Sequence, residues 1–121
     1  MIVLDHHIVP SRQRDDSARW LTNILGLPGP RHEGPFAAVD LGGATSLFFA
    51  GWDQEVAIQH YAFAVSLDEF DRIIDRLVAA DVGYWADHTL SEANTVRRDS
   101  TGNGVYFRSP DGHLLEVLTH S

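Results

Sequence analysis

Residues 105–118 read Val-Tyr-Phe-Arg-Ser-Pro-Asp-Gly-His-Leu-Leu-Glu-Val-Leu. Two apolar, β-favouring runs flank Ser109-Pro110-Asp111-Gly112, a sequence in which serine, proline, aspartate and glycine each have a turn role. The stretch is therefore predicted as a strand, a tight turn and a second strand. Strand parity puts Leu115 and Val117 on one face of the second strand, and Glu116 between Leu114 and Leu118 on the other. A carboxylate on a strand that is apolar on both faces is costly unless it is paired or metal-bound. Glu116 therefore needs a partner, and His113, next to the turn, is expected to be solvated.

Working outward, the remaining elements repeat a pattern. A β-rich run, Ile2–Val9, precedes a helix with Asp15-Asp16 as candidate N-cap residues. Ala18, Leu21, Ile24 and Leu25 recur along it at helical spacing, and Gly26 stops it. Beyond the break at Leu27-Pro28-Gly29-Pro30, strands Phe36–Leu41 and Thr45–Ala50 meet at a Gly42-Gly43 hairpin. The second half opens with a strand-like run, Val56–Val65. Ser66 and Glu69 follow at capping-box spacing, and Phe70, Ile73, Ile74 and Leu77 mark an amphipathic helix to about Ala80. Tyr84-Trp85 reads as a strand start, and the polar residues 87–101 carry no clear period. The prediction is a single α+β domain of two βαβββ modules, about 1–53 and 54–121.

Composition removes several function classes. Nine basic against seventeen acidic residues give a net charge of −8, the wrong sign for a nucleic-acid surface. Cysteine is absent, which excludes disulfides, thiolate nucleophiles and cysteine zinc sites. No apolar run approaches the ~20 residues of a membrane span, and the first ten residues lack the pattern of a signal peptide. A cytoplasmic location without membrane or nucleic-acid partners is the expectation.

Seven histidines remain to be explained. His6 shares a strand face with Leu4 and Ile8, and His60 shares one with Val56, Ile58, Ala62 and Ala64. The two occupy corresponding places, each in the strand before its helix. With Glu116 they form a two-histidine, one-carboxylate set that suits a divalent cation with open positions. His7 is the rival first ligand, on a face expected to be the outer one. His32, His88 and His120 read as surface residues.

Leu4-Asp5-His6 with Ile8, Ala18–Leu27, His60-Tyr61-Ala62-Phe63 and the 105–116 segment together resemble the vicinal oxygen chelate superfamily, the glyoxalase, bleomycin-resistance and extradiol-dioxygenase group. The resemblance implies paired βαβββ modules curled into a cup, metal ligands at His6, His60 and Glu116, and a homodimer, with the site within one chain or shared between two. Three departures bear on function. Glyoxalase I takes a further glutamate from the last strand of its first module, where this chain reads Thr45-Ser46-Leu47-Phe48-Phe49-Ala50. The fosfomycin-modifying thiol transferases match Tyr106 to a substrate-contacting tyrosine, but Val96 and Ile8 stand where they carry a lysine and a threonine. Extradiol enzymes place an acid–base histidine where this chain reads Arg97-Arg98-Asp99.

Phe48, Trp52 and Tyr106, with Trp20 as a further candidate, are expected to give a pocket an aromatic wall, and Arg98 to bind a substrate anion. Tyr106 is the candidate catalytic residue, as a donor to a substrate oxygen. The expected function is a metal-dependent small-molecule lyase, isomerase, thiol transferase or dioxygenase. Its cofactor is a divalent transition metal: Mn, Fe, Co, Ni or Zn. The alternative is a metal-free protein that sequesters a drug, as bleomycin-resistance relatives do.

Overall fold

The computed structural model describes residues 1–120 and divides into two compact units, Met1–Ala57 and the residues from Ile58 onward. Each unit is a βαβββ module, so the chain is α+β. No helix among the described residues is long and apolar enough to cross a membrane.

The first unit runs β1 (His6–Ser11), α1 (Arg14–Leu25), β2 (Arg31–Glu33), β3 (Phe36–Asp40) and β4 (Ser46–Gly51). Its sheet has the order β1-β4-β3-β2, with β1 parallel to β4 and the other pairs antiparallel. Ser17, Ala18, Leu21, Thr22 and Ile24 form the buried face of α1. Opposite them, Val9, Ser11, Leu47 and Phe49 are buried on β1 and β4. Gly26 closes α1 at φ 72°, the left-handed position that glycine occupies without a Cβ penalty. The N-cap is Gln13, without a side-chain cap bond. Asp15 and Asp16, expected as caps, instead lie in the first turn, where their charges favour the helix dipole.

The second unit runs β5 (His60–Ala64), α2 (Leu67–Ala79), β6 (Arg97–Asp99), β7 (Gly102–Arg108) and β8 (Leu114–Leu118), in the sheet order β5-β8-β7-β6. Phe70, Ile73 and Leu77 of α2 are fully buried, as are Val105, Phe107 and Val117 of the sheet. The capping box is formed: Ser66 Oγ accepts from Glu69 N–H at 3.2 Å, and Glu69 Oε1 accepts from Ser66 N–H at 3.1 Å. Residues 109–112 make the expected turn, closed by Gly112 N–H to Ser109 O at 2.9 Å.

Three expectations are corrected. The strands β1 and β5 begin at the histidines, later than the runs from Ile2 and Val56 suggested. Tyr84-Trp85 does not start a strand; Trp85 makes only isolated bridges, to Ala93 and Tyr106. His113 is not solvated but 2% exposed. It is buried because its Nδ1 accepts from the Gln59 N–H at 3.0 Å while its ring meets the edge of Tyr61 at 5.5 Å.

Replacing Ser66 with alanine leaves the Glu69 N–H without its acceptor and breaks the reciprocal box. The expected loss is about 1 kcal/mol in urea unfolding, with an unchanged m-value.

Candidate metal centre and pocket

The parallel pairing of β5 with β8 sets Ala62 opposite Glu116 and His60 opposite Leu114. His60 and Glu116 are thus diagonal neighbours on one face of the sheet. His60 Nε2 lies 3.2 Å from Glu116 Oε1, with the side chains 48% and 15% exposed. The carboxylate has its partner, and both donor atoms reach the open side of the sheet rather than the side under α2.

Tyr106 on β7 is the direct cross-strand partner of Glu116. Burial, and then the adjacent Glu116 carboxylate, hold its phenol above the usual tyrosine range, while the Arg97 charge pulls the other way. Its ring lies 6.2 Å from that of His60 and 6.5 Å from that of His88. Across β5, β8, β7 and β6 the same face presents His60, Glu116, Tyr106 and then Arg97, whose partner position on β7 is Gly104.

Beside this row lies a pocket of about 450 Å³, walled by residues 86–96 with Arg97 and Tyr106. Asp87 stiffens the wall: its carboxylate accepts from the backbone N–H of Ser91 at 3.0 Å and of Glu92 at 2.8 Å, and from the Ser91 and Thr89 hydroxyls. These donors hold the Asp87 carboxyl well below the usual carboxylate range.

The first unit carries His6 on β1. Its Nδ1 donates to Asp5 Oδ2 at 2.8 Å, which leaves the lone pair on Nε2. The His6 ring stacks on Phe48 at 4.5 Å, and Phe48 on Phe36 at 5.4 Å. The His7 row continues into buried Val9 and Ser11, on the side turned to α1. Trp52 is half exposed after β4, and Trp20 is partly buried on α1.

The second unit thus brings His60, Glu116 and Tyr106 together, and the first unit carries His6, Phe48 and Trp52. Among the described residues no group of three or more His, Cys, Asp or Glu side chains is placed to hold a metal ion. Arg98 points away from the pocket; it bonds Asp71 at 3.2 Å and lies over the Phe70 ring of α2. Its neighbour Arg97 lines the pocket instead. Sequence reading missed Arg97 and His88, because neither is flanked by an apolar period that reveals its face.

The family model for the Glyoxalase/Bleomycin resistance protein/Dioxygenase superfamily matches residues 3–117. The chain belongs to this superfamily. Among solved structures of the superfamily fold, "Oxidase ChaP-H1" is 41% identical, with a TM-score of 0.96 over 100% of this chain and 98% of that one. The glutathione transferase FosA of Serratia marcescens is 36% identical over 64 residues, 53% of this chain and 38% of the relative. The metallothiol transferase FosB of Lysinibacillus sphaericus is 34% identical over 67 residues, 55% and 43% respectively. The matches to these two curated relatives therefore span about two-fifths of their length.

If Glu116 and His60 are kept for chemistry rather than stability, removing the charge is cheap in metal-free protein. Glu116→Gln is expected to change the unfolding free energy by less than about 1 kcal/mol, because the amide keeps an oxygen for a partner that is itself half exposed. His113→Ala, which strips a buried acceptor from Gln59 and leaves a cavity, is expected to cost about 2–4 kcal/mol. Chemical denaturation of the two variants beside wild type checks the contrast.

Proposed function

We propose that the chain is a metal-dependent enzyme of the vicinal oxygen chelate type, acting oxidatively on a small molecule with two neighbouring oxygens. The observation that carries this reading is the His60–Glu116 pair, an imidazole nitrogen and a carboxylate oxygen 3.2 Å apart beside a phenol and a pocket. The 41% identity to a full-length relative named an oxidase favours oxidation over the thiol transfer named in the more partial matches.

The residues fit a metal by their donor chemistry. His60 Nε2 and Glu116 Oε1 already lie side by side, 3.2 Å apart. His6, oriented by Asp5, offers the second imidazole of the set proposed with them. His60, Glu116 and His6 would hold a divalent transition metal, which would supply a fixed positive charge to offset negative charge developing on a substrate oxygen. The chain's own residues do the rest. Tyr106, its proton held by burial and by Glu116, donates a hydrogen bond to a substrate oxygen. The wall tied by Asp87 limits access of water and positions the ring of His88 across from Tyr106.

The proposed active form is a homodimer in which His6 of one copy completes the pair of the other. Support comes from the open face of β5, where His60, Ala62 and Ala64 are exposed, and from exposed Leu4, Ile8 and Ile58. Each is apolar surface of the kind that oligomer interfaces cover.

Elemental analysis of untagged protein is expected to find about one divalent transition metal per chain, and almost none in His60→Ala. Metal-free protein that resists reconstitution overturns the reading and leaves a binding cup. Mixing His6→Ala with Glu116→Gln chains then locates the site. If it is shared between copies, each mixed dimer regains one of its two sets, so metal binding returns to about half of wild type in isolated mixed dimers and to about a quarter in the randomly mixed dimer population. If it lies within one chain, no intact set forms and binding stays absent.

A further inference from the structure

Arg97 lies flat on the sheet. A Cβ at its partner position, Gly104, would meet Arg97 Nη2 at 2.7 Å and Nε at 3.0 Å, so the missing side chain is what admits the guanidinium. Nη1 is fully engaged, by Asp99 at 3.1 Å, Thr101 Oγ1 at 2.9 Å and the Gly102 carbonyl at 3.4 Å. The Nε–Nη2 edge, the one that grips a carboxylate through two parallel bonds, makes a single long bond to the Asn103 carbonyl at 3.3 Å. Arg97 lines the pocket, and its charge is felt at the Tyr106 phenol. The pocket also contains two carboxylates, of Asp87 and Glu92. The Asp87 oxygens are already occupied by four donors from its own loop, which leaves Arg97 and Glu92 as the charged groups facing a ligand, and of the two only Arg97 offers donors to an anion.

Between Arg97 and Glu116 stands Tyr106, with the His88 ring tilted 62° to it and Val96 and Ala86 on the same wall. The two rings meet edge to face and together form one aromatic side of the slot, against which a flat ring can lie. Glu116 and Arg97 are on β8 and β6, two strand spacings apart, about 10 Å between backbones.

We propose that the pocket takes an aromatic carboxylic acid, its ring against Tyr106 and His88 and its carboxylate on Arg97, with Gly104 as the positioning residue that keeps the floor clear. The acid group then lies at the end of the slot far from His60 and Glu116. Any second oxygenated end of the molecule is delivered toward that pair. This rests on reading the face as a substrate site, but it does not require a bound metal.

The test uses three naphthalene probes of one shape, titrated calorimetrically into metal-free full chain: 2-naphthoate, neutral 2-naphthamide and 2-naphthylmethylammonium. The acid is expected to bind about tenfold more tightly than the amide, the worth of a charge-assisted bond. The preference is expected to fall below about twofold in Arg97→Gln, and equally in Gly104→Ala, which keeps the charge but lifts it off the floor. Because the atom displaced by the new methyl is the end of a flexible side chain, Gly104→Ala retains its fold and carries the test even if Arg97→Gln loosens the Asp99–Thr101 turn. Equal binding of acid and amide, tighter binding of the ammonium probe, no binding of the acid, or a preference surviving in Gly104→Ala overturns the proposal. Since metal is absent throughout, failure here with metal content intact in the reconstituted protein sinks only the acid subsite. Failure of reconstitution with the acid preference intact sinks only the metal reading.

Discussion

Glu116 has an apolar neighbour on each side along its strand face, Leu114 and Leu118, and buried Leu115 and Val117 on the opposite face. A carboxylate there demands a partner, and the second unit is arranged so that one arrives from the neighbouring strand. Only a parallel β5 in this register brings an imidazole diagonal to the carboxylate; a slip of one residue turns His60 to the α2 side and Tyr61 to the open side. Parallel pairing in turn requires a crossover, which α2 supplies, begun by the Ser66–Glu69 box and anchored by Phe70, Ile73 and Leu77. His113 adds a second lock, since the nitrogen that receives Gln59 N–H holds the backbone one residue before His60. Core, cap and turn therefore converge on the placement of two polar atoms.

The first unit repeats the backbone but not the chemistry. Its register sets His6 opposite Ser46 and Ile8 opposite Phe48, as the second sets His60 opposite Leu114 and Ala62 opposite Glu116. Phe48 is thus the counterpart of Glu116, and Ala38, opposite Phe48, the counterpart of Tyr106. His6 consequently stacks on a ring where His60 meets a carboxylate, and is oriented by the hydrogen bond it donates to Asp5 instead. One duplicated frame holds an aromatic shelf in one copy and an imidazole–carboxylate pair with a phenol in the other.

Strand parity made the pair legible in the sequence, because Glu116 and His60 both interrupt rows of apolar residues. Helix α2 was legible for a similar reason, its cap and its period agreeing. What escaped was held by features that leave no period. The edge strands β2 and β6 are three residues each, Arg31–Glu33 and Arg97–Asp99, polar throughout and with no buried face to set an alternation. Without β6 the choice between Arg97 and Arg98 had no basis; the strand turns the first to the pocket and the second to Phe70. His113 was misjudged because turn residues are usually solvated, whereas here the donor that its ring nitrogen is buried against is a backbone N–H far away in the chain, that of Gln59. The family resemblance was legible from the motifs at both ends, although motifs of this kind name ligands and not substrates.

The division of labour inside the second unit follows from that difference. His60, Glu116 and Tyr106 stand on strands whose other faces are packed against α2, so their mutual positions are over-determined by the core. The opposite wall of the pocket is a loop, residues 86–96, held mainly by its own Asp87 and touching the sheet through the Trp85–Tyr106 bridge. A segment secured by local bonds can change its side chains without disturbing the core, and the residues that meet a ligand's body rather than its reacting atoms are drawn from it. Arg97 is the exception, a specificity residue on the sheet itself, and it can lie there only because Gly104 gives up its side chain. The chemistry of the face is thus tied to the fold, while the choice of molecule rests on one glycine and one self-tied loop.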